Sequence, residues 1–128
     1  MWIRSKDKRI LSVNNSMKYT QLKYDQFDKY LIESKKERLL SYEMYQYLFR
    51  FDNGYGASVV KNFMSYGNKY DLFELAVIKF DGYEHSLCYD TEITDDVIGY
   101  LNNDEVLGLL ERIKSLWIIL NNLWKTMI

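Results

Sequence analysis

Proline is absent from this chain of 128 residues, and cysteine and histidine occur once each, as Cys88 and His85. A lone cysteine can neither close an intramolecular disulfide nor supply a Cys-rich zinc site, so packing has to hold the fold, as suits a reducing cytoplasm. Long apolar runs are missing too. The longest, Leu116-Trp117-Ile118-Ile119-Leu120, falls far short of the ~20 residues that a membrane helix requires. Behind the charges of Met1-Trp2-Ile3-Arg4-Ser5-Lys6 there is no apolar stretch of the kind a secretory signal carries. Gly/Ser linkers and internal repeats are also lacking.

Apolar residues make up 48% of the chain and charged residues 27%. That is enough to build the core of a soluble globular protein, which excludes disordered and collagen-like classes, and the length suits one ordinary domain or two very small ones. The net charge of −1 hides an asymmetry: residues 1–50 hold 11 Lys and Arg against 6 Asp and Glu, whereas residues 51–128 hold 6 against 12. A basic first half and an acidic second half fit either opposed binding faces or surfaces that solvate each other.

Pattern changes divide the chain near Lys35–Tyr42, into a basic, β-rich segment 1–44 and a second part 45–128. Trp2–Ser5 and Ile10–Val13 flank a charged turn and read as a hairpin. Residues 24–33 fit helix and strand equally well. Tyr45, Tyr47, Phe49 and Phe51 alternate as the first strand of a sheet with one buried face. Asn53-Gly54 supplies a hairpin turn, and Ala57–Val60 returns. Leu72–Phe80 is apolar on both faces, so it reads as a central strand. Asp81-Gly82 turns it, and Ser86–Asp90 pairs back. Thr94 with Asp95 and Asp96 reads as the start of a short helix through Leu101, and Asn103 with Asp104 and Glu105 as the start of a longer one. In that helix Val106, Leu110, Ile113, Trp117, Leu120, Trp124 and Met127 form a heptad seam, widened by Leu109, Leu116 and Leu123. The fold class expected is α+β, a small antiparallel sheet packed against a C-terminal helix. The seam predicts a homodimer or a helix that docks on a partner, and the dimer interface would be made by Leu110, Ile113, Trp117, Leu120, Trp124 and Met127.

The pieces Phe49-Arg50-Phe51-Asp52-Asn53-Gly54-Tyr55-Gly56-Ala57-Ser58-Val59, Glu74-Leu75-Ala76-Val77 and Cys88-Tyr89-Asp90-Thr91, followed by Ile93-Thr94-Asp95-Asp96-Val97-Ile98-Gly99-Tyr100-Leu101, taken together resemble a family of small proteins of phages and prophages of Gram-positive bacteria. The similarity spans residues 45–116. It implies a phage or mobile-element origin and carries no catalytic residues with it.

Complete catalytic constellations are missing from the residues themselves. His85 and Cys88 are three apart, which in a strand places them on opposite faces and argues against a nucleophile pair. Asp90, Glu92, Asp95 and Asp96 are hard ligands of the kind that Mg²⁺ takes, yet no EF-hand spacing or phosphate-cradling loop accompanies them. They read better as an acidic surface patch for a basic partner. Twelve tyrosines are more than a small core absorbs, so Tyr55, Tyr66, Tyr70 and Tyr83 on loops are candidates for a protein-binding surface. In the basic half, Lys6, Lys8, Arg9, Lys18, Lys23, Lys29, Lys35, Lys36 and Arg38 interleave with Tyr19, Tyr24 and Tyr30, a pattern that nucleic-acid binding uses, although acidic residues intersperse.

These readings point to a non-catalytic phage accessory protein, without a cofactor, that binds and modulates a host macromolecule in the cytoplasm; a counter-defence inhibitor of the anti-CRISPR type is its sharpest form. The alternatives are a nucleic-acid-binding regulator using the basic half and a metal-dependent enzyme at Asp90–Asp96.

Overall fold

The computed structural model describes residues 19–39 and 42–116, and these share one core. The chain enters as a strap, residues 19–24, and makes a 3-10 turn at Asp25–Tyr30. Strands β1 (Leu31–Leu39), β2 (Tyr42–Arg50), β3 (Tyr55–Lys61), β4 (Phe73–Asp81), β5 (Glu84–Leu87) and β6 (Ile98–Leu101) follow, and helix α1 (Asn103–Lys114) closes the described part. The strands form one antiparallel sheet in the order β1-β2-β3-β4-β5. On the edge of β4 away from β3, β5 pairs with residues 78–81 and β6 with the start of the strand, end to end. The α+β class read from the sequence is therefore the observed one.

Register puts the alternating aromatics of β2 on the face that α1 covers. Tyr47 stands opposite Val59 and Val59 opposite Leu75, while Phe49 stands opposite Ala57 and Ala57 opposite Val77. Val106, Leu110 and Ile113 close this face from the helix, Tyr19 and Leu22 close it from the strap, and Phe27 closes it from the 3-10 turn. Burial on this scale, at about 1.5–3 kcal/mol per large apolar side chain, supplies the main force that holds strap and helix to the sheet. As expected for a central strand, β4 is buried on both faces, at Leu75 and Val77 on one side and at Ala76 and Ile78 on the other.

Helix α1 is capped by Asn102, one residue before the cap expected at Asn103. The Asn102 side chain accepts from the Glu105 N–H, and the Glu105 carboxylate accepts from the Asn102 N–H, forming a reciprocal capping box. At the other end Asn53, in the β2–β3 turn, donates its side-chain amide to the carbonyls of Ile113 and Leu116 at 2.9 and 2.8 Å.

Four expectations change. Residues 97–101 do not form a short helix: 98–101 are β6, because Ile98 and Leu101 pair with Leu75 and Phe73 and bury between the sheet and α1. The Thr94 hydroxyl serves a local turn instead, accepting from the Asp96 N–H. The sheet begins before Tyr45, since 24–33 resolves into the 3-10 turn followed by β1, which pairs with β2 along its length. That hairpin runs across the boundary placed near Lys35–Tyr42. Finally, Leu110 and Ile113 are 0% exposed, packed against the chain's own sheet, so neither is free to form a seam with a second copy. Trp117, Leu120, Trp124, Met127 and the expected hairpin at residues 2–13 lie outside the described residues.

Candidate functional site

The loop between β3 and β4 gathers exposed aromatics at one end of the sheet. Its first turn is tied by Asn62, whose Oδ1 accepts from Met64 N–H, and by Ser65, whose hydroxyl accepts from Asn62 N–H. Gly67 then takes φ 94°, a left-handed conformation that glycine alone adopts without cost, and its carbonyl accepts from the N–H groups of Tyr70 and Leu72. The loop packs on β6 backbone to backbone: Tyr100 N–H donates to Tyr66 O, and a Cβ on Gly99 would collide with the Tyr66 side chain. Close approach needs both glycines, and it presents Met64, Tyr66, Tyr70 and Tyr100 together around a cleft of about 330 Å³.

These side chains are exposed: Tyr66 at 60%, Tyr70 at 72% and Tyr100 at 58%. The Tyr70 and Tyr100 rings stand 6.4 Å apart at 41°. Two non-glycine residues here, Asp71 and Tyr100, both have φ 60°. Such conformations cost about 1–3 kcal/mol each and persist only where surrounding contacts impose them. For Asp71 those contacts are visible. Its carboxylate accepts from Thr20 N–H at 2.8 Å and from the Thr20 hydroxyl at 2.6 Å, and it pairs with the buried ammonium of Lys61 at 2.8 Å. The strap thus locks the base of the loop.

Charge beside the cleft is mostly negative. Burial pushes the Glu74 carboxyl up and the nearby Asp96 carboxylate pushes it further up, against the lowering effect of the Tyr66 backbone. Lys69, on the cleft wall, is the opposing charge.

The structure separates the residues grouped from the sequence. Tyr66, Tyr70 and Asp96 come to this end. Tyr55 and Tyr83 lie at the other end of β4, a strand of nine residues and about 30 Å; Tyr83 is fully exposed, while Tyr55 is half-buried against the core. Glu92 and Asp95 are exposed in the connection to β6. Asp90 belongs to a separate groove lined by Lys79, Ser86, Leu87, Cys88 and Tyr89. There the buried Cys88 thiol donates to Asp90 at 2.9 Å, and burial together with that carboxylate pushes the thiol up, away from a reactive thiolate. His85 sits across from Phe80, whereas Cys88 bonds backbone to backbone with Val77, so the two occupy opposite faces. Among the described residues no three His, Cys, Asp or Glu side chains gather into a set that could hold a metal ion, and Asp90 stands in a groove that neither Asp95 nor Asp96 lines.

The nucleic-acid alternative loses its stacking platform. Tyr19 is buried, Tyr24 packs against Tyr47 and Phe49, and Tyr30 packs against Phe51. On the exposed edge strand β1, Lys35 pairs with Glu33, while Lys36 and Arg38 pair with Glu43. Tyr100 is not marked as a candidate by the sequence, because Thr94, Asp95 and Asp96 imitate a helix start; the strand pairing that places it is a tertiary contact.

No protein-family model, curated protein or solved structure matches this chain. Among the described residues no helix is long and apolar enough to cross a membrane.

Proposed function

We propose that this chain is a non-catalytic binding protein that engages and modulates a host macromolecule through the Tyr66–Tyr70–Tyr100 end of its sheet. The observation that supports it is the display of three exposed tyrosine rings where the β3–β4 loop packs on β6 at Gly67 and Gly99 and is tied at its base through Asp71. Tyrosine offers broad contact area with few rotatable bonds, so a rigid display loses little entropy on binding. The host as the source of the partner, and counter-defence as the purpose, rest on the resemblance to phage and prophage proteins.

Affinity capture from a Gram-positive lysate, with and without nuclease, tests it with two variants. A protein retained after nuclease by the parent chain and by Tyr83→Ser, but lost with Tyr70→Ser, is the expected result, since a hot-spot tyrosine is worth about 2 kcal/mol or more. Capture that is indifferent to Tyr70→Ser, or that disappears with nuclease, overturns it.

A further inference from the structure

The tyrosine cleft carries a charge pattern that selects among occupants. Glu74 lies between Phe73 and Leu75, opposite the Gly99-Tyr100 step of β6, and the exposed Asp95 and Asp96 come just before that strand. Among the described residues none of the three has an ion-pair partner. Among the described residues Lys69 is the single cation lining the cleft, and Lys61 is committed to Asp71. A phosphate backbone would meet net negative charge here, and a purely apolar segment would leave the carboxylates uncompensated. A cation with an apolar, planar face answers both features.

We propose, building on the binding role assigned above to this end of the sheet, that the cleft takes an arginine-bearing segment of a protein partner, with the guanidinium against the Tyr70 and Tyr100 rings in the field of Glu74 and Asp96. Arginine fits better than lysine. Its guanidinium is planar and weakly hydrated, and it stacks on aromatic faces while donating to carboxylates. Tyr70 and Tyr100, tilted at 41° with centroids 6.4 Å apart, open a wedge with ring faces for such a group. The acidic second half of the chain supplies long-range attraction for a basic segment, which raises the rate of encounter more than the final affinity.

Fluorescence anisotropy on the full chain tests this with three labelled probes: a short Gly/Arg peptide, its Gly/citrulline counterpart of the same shape without charge, and oligothymidylate. The Gly/Arg peptide should bind most tightly, with citrulline costing about tenfold or more. Tyr70→Ser and Tyr100→Gly should each weaken it about three- to fivefold; glycine at position 100 also suits the φ of 60°, so that variant keeps its fold. Glu74→Gln should weaken binding and flatten its salt dependence, whereas Tyr83→Ser, at the far end of β4, should change nothing. Equal binding of the citrulline peptide removes the cation from the recognition, and tighter binding of oligothymidylate moves the site to nucleic acid; either result overturns the proposal. If the Gly/Arg peptide fails to bind while Tyr70→Ser still loses a captured protein, the arginine chemistry falls and the binding surface stands. If both fail, the binding reading falls with it.

Discussion

Removing one charge from the Lys61–Asp71 pair should cost more at the aspartate than at the lysine, although both changes break the same ion pair. The Lys61 side chain is 1% exposed. Its ammonium sits 2.8 Å from Asp71 and 2.8 Å from the Thr20 carbonyl, 3.7 Å above the centre of the Phe73 ring. Asp71→Asn suits the positive φ, which asparagine tolerates, but it leaves the ammonium buried without a counter-charge. Breaking a buried pair from one side costs about 3–5 kcal/mol. Asp71 is 42% exposed, and Thr20 and Phe73 still hold the ammonium, so the expectation here falls to about 2 kcal/mol. Lys61→Met keeps the apolar bulk and releases Asp71 to water, at about 1 kcal/mol for the lost hydrogen bonds. The double variant should resemble Lys61→Met, because the stranded charge has gone. Urea unfolding followed by far-ultraviolet circular dichroism at neutral pH reads all four proteins, and a constant slope certifies that stability alone has changed. A double variant as unstable as the sum of the two singles, or Lys61→Met costing more than Asp71→Asn, would refute the reasoning. The acid limb gives a second reading. Burial pushes the Asp71 carboxyl up, but hydrogen bonds from Lys61 and Thr20 hold it, on balance, below its ordinary value of 3.8. A carboxyl depressed in the folded state adds stability that is complete above about pH 5 and fades as pH falls through 3.8 and below. That loss should be missing from Asp71→Asn.

Three further outcomes follow from the same geometry. Asn53→Ala leaves the carbonyls at the end of α1 without their side-chain donor and frees the Tyr55 N–H that its Oδ1 accepts; it should lower stability by about 1–2 kcal/mol, measured by thermal melting. Gly56→Ala forces a Cβ into the Phe49 carbonyl of the neighbouring strand, which the ladder prevents from moving; a loss of about 3 kcal/mol or more, or failure to fold, is expected in the same assay. Tyr45, pushed up to about 12 by burial and then by its hydrogen bond to Glu43, should ionise late in an absorbance titration at alkaline pH. Its folded value lies above its ordinary one, so stability should be full below pH 10 and decline as pH rises toward 12; ionisation of every tyrosine near pH 10 in the folded protein would contradict this.

Local chemistry made much of the sheet legible in the order of residues. The alternation at Tyr45, Tyr47, Phe49 and Phe51, the turn at Asn53-Gly54 and the two-faced burial of β4 are all written in patterns of two or in single residues with restricted backbone angles, so they survive without knowledge of partners. The seam at Val106, Leu110 and Ile113 identified the buried side of α1 for the same reason. What covered that side was not legible, because a period of seven looks alike whether the face meets a second copy or the chain's own sheet. The segment 97–101 shows the same limit: its hydroxyl and acidic start imitates a helix cap, and only pairing with Phe73 and Leu75 makes it a strand. That pairing also determines the site. Tyr66 and Tyr70 were recognisable as candidates from their loop, but the third ring, Tyr100, joins them only when Gly67 and Gly99 allow two backbones to touch, and Tyr55 and Tyr83 leave the group because antiparallel pairing sends them to the far end of β4. Sequence thus determined the elements whose physics is local, and tertiary structure decided which surfaces those elements share, since the contacts that settle it join residues distant along the chain.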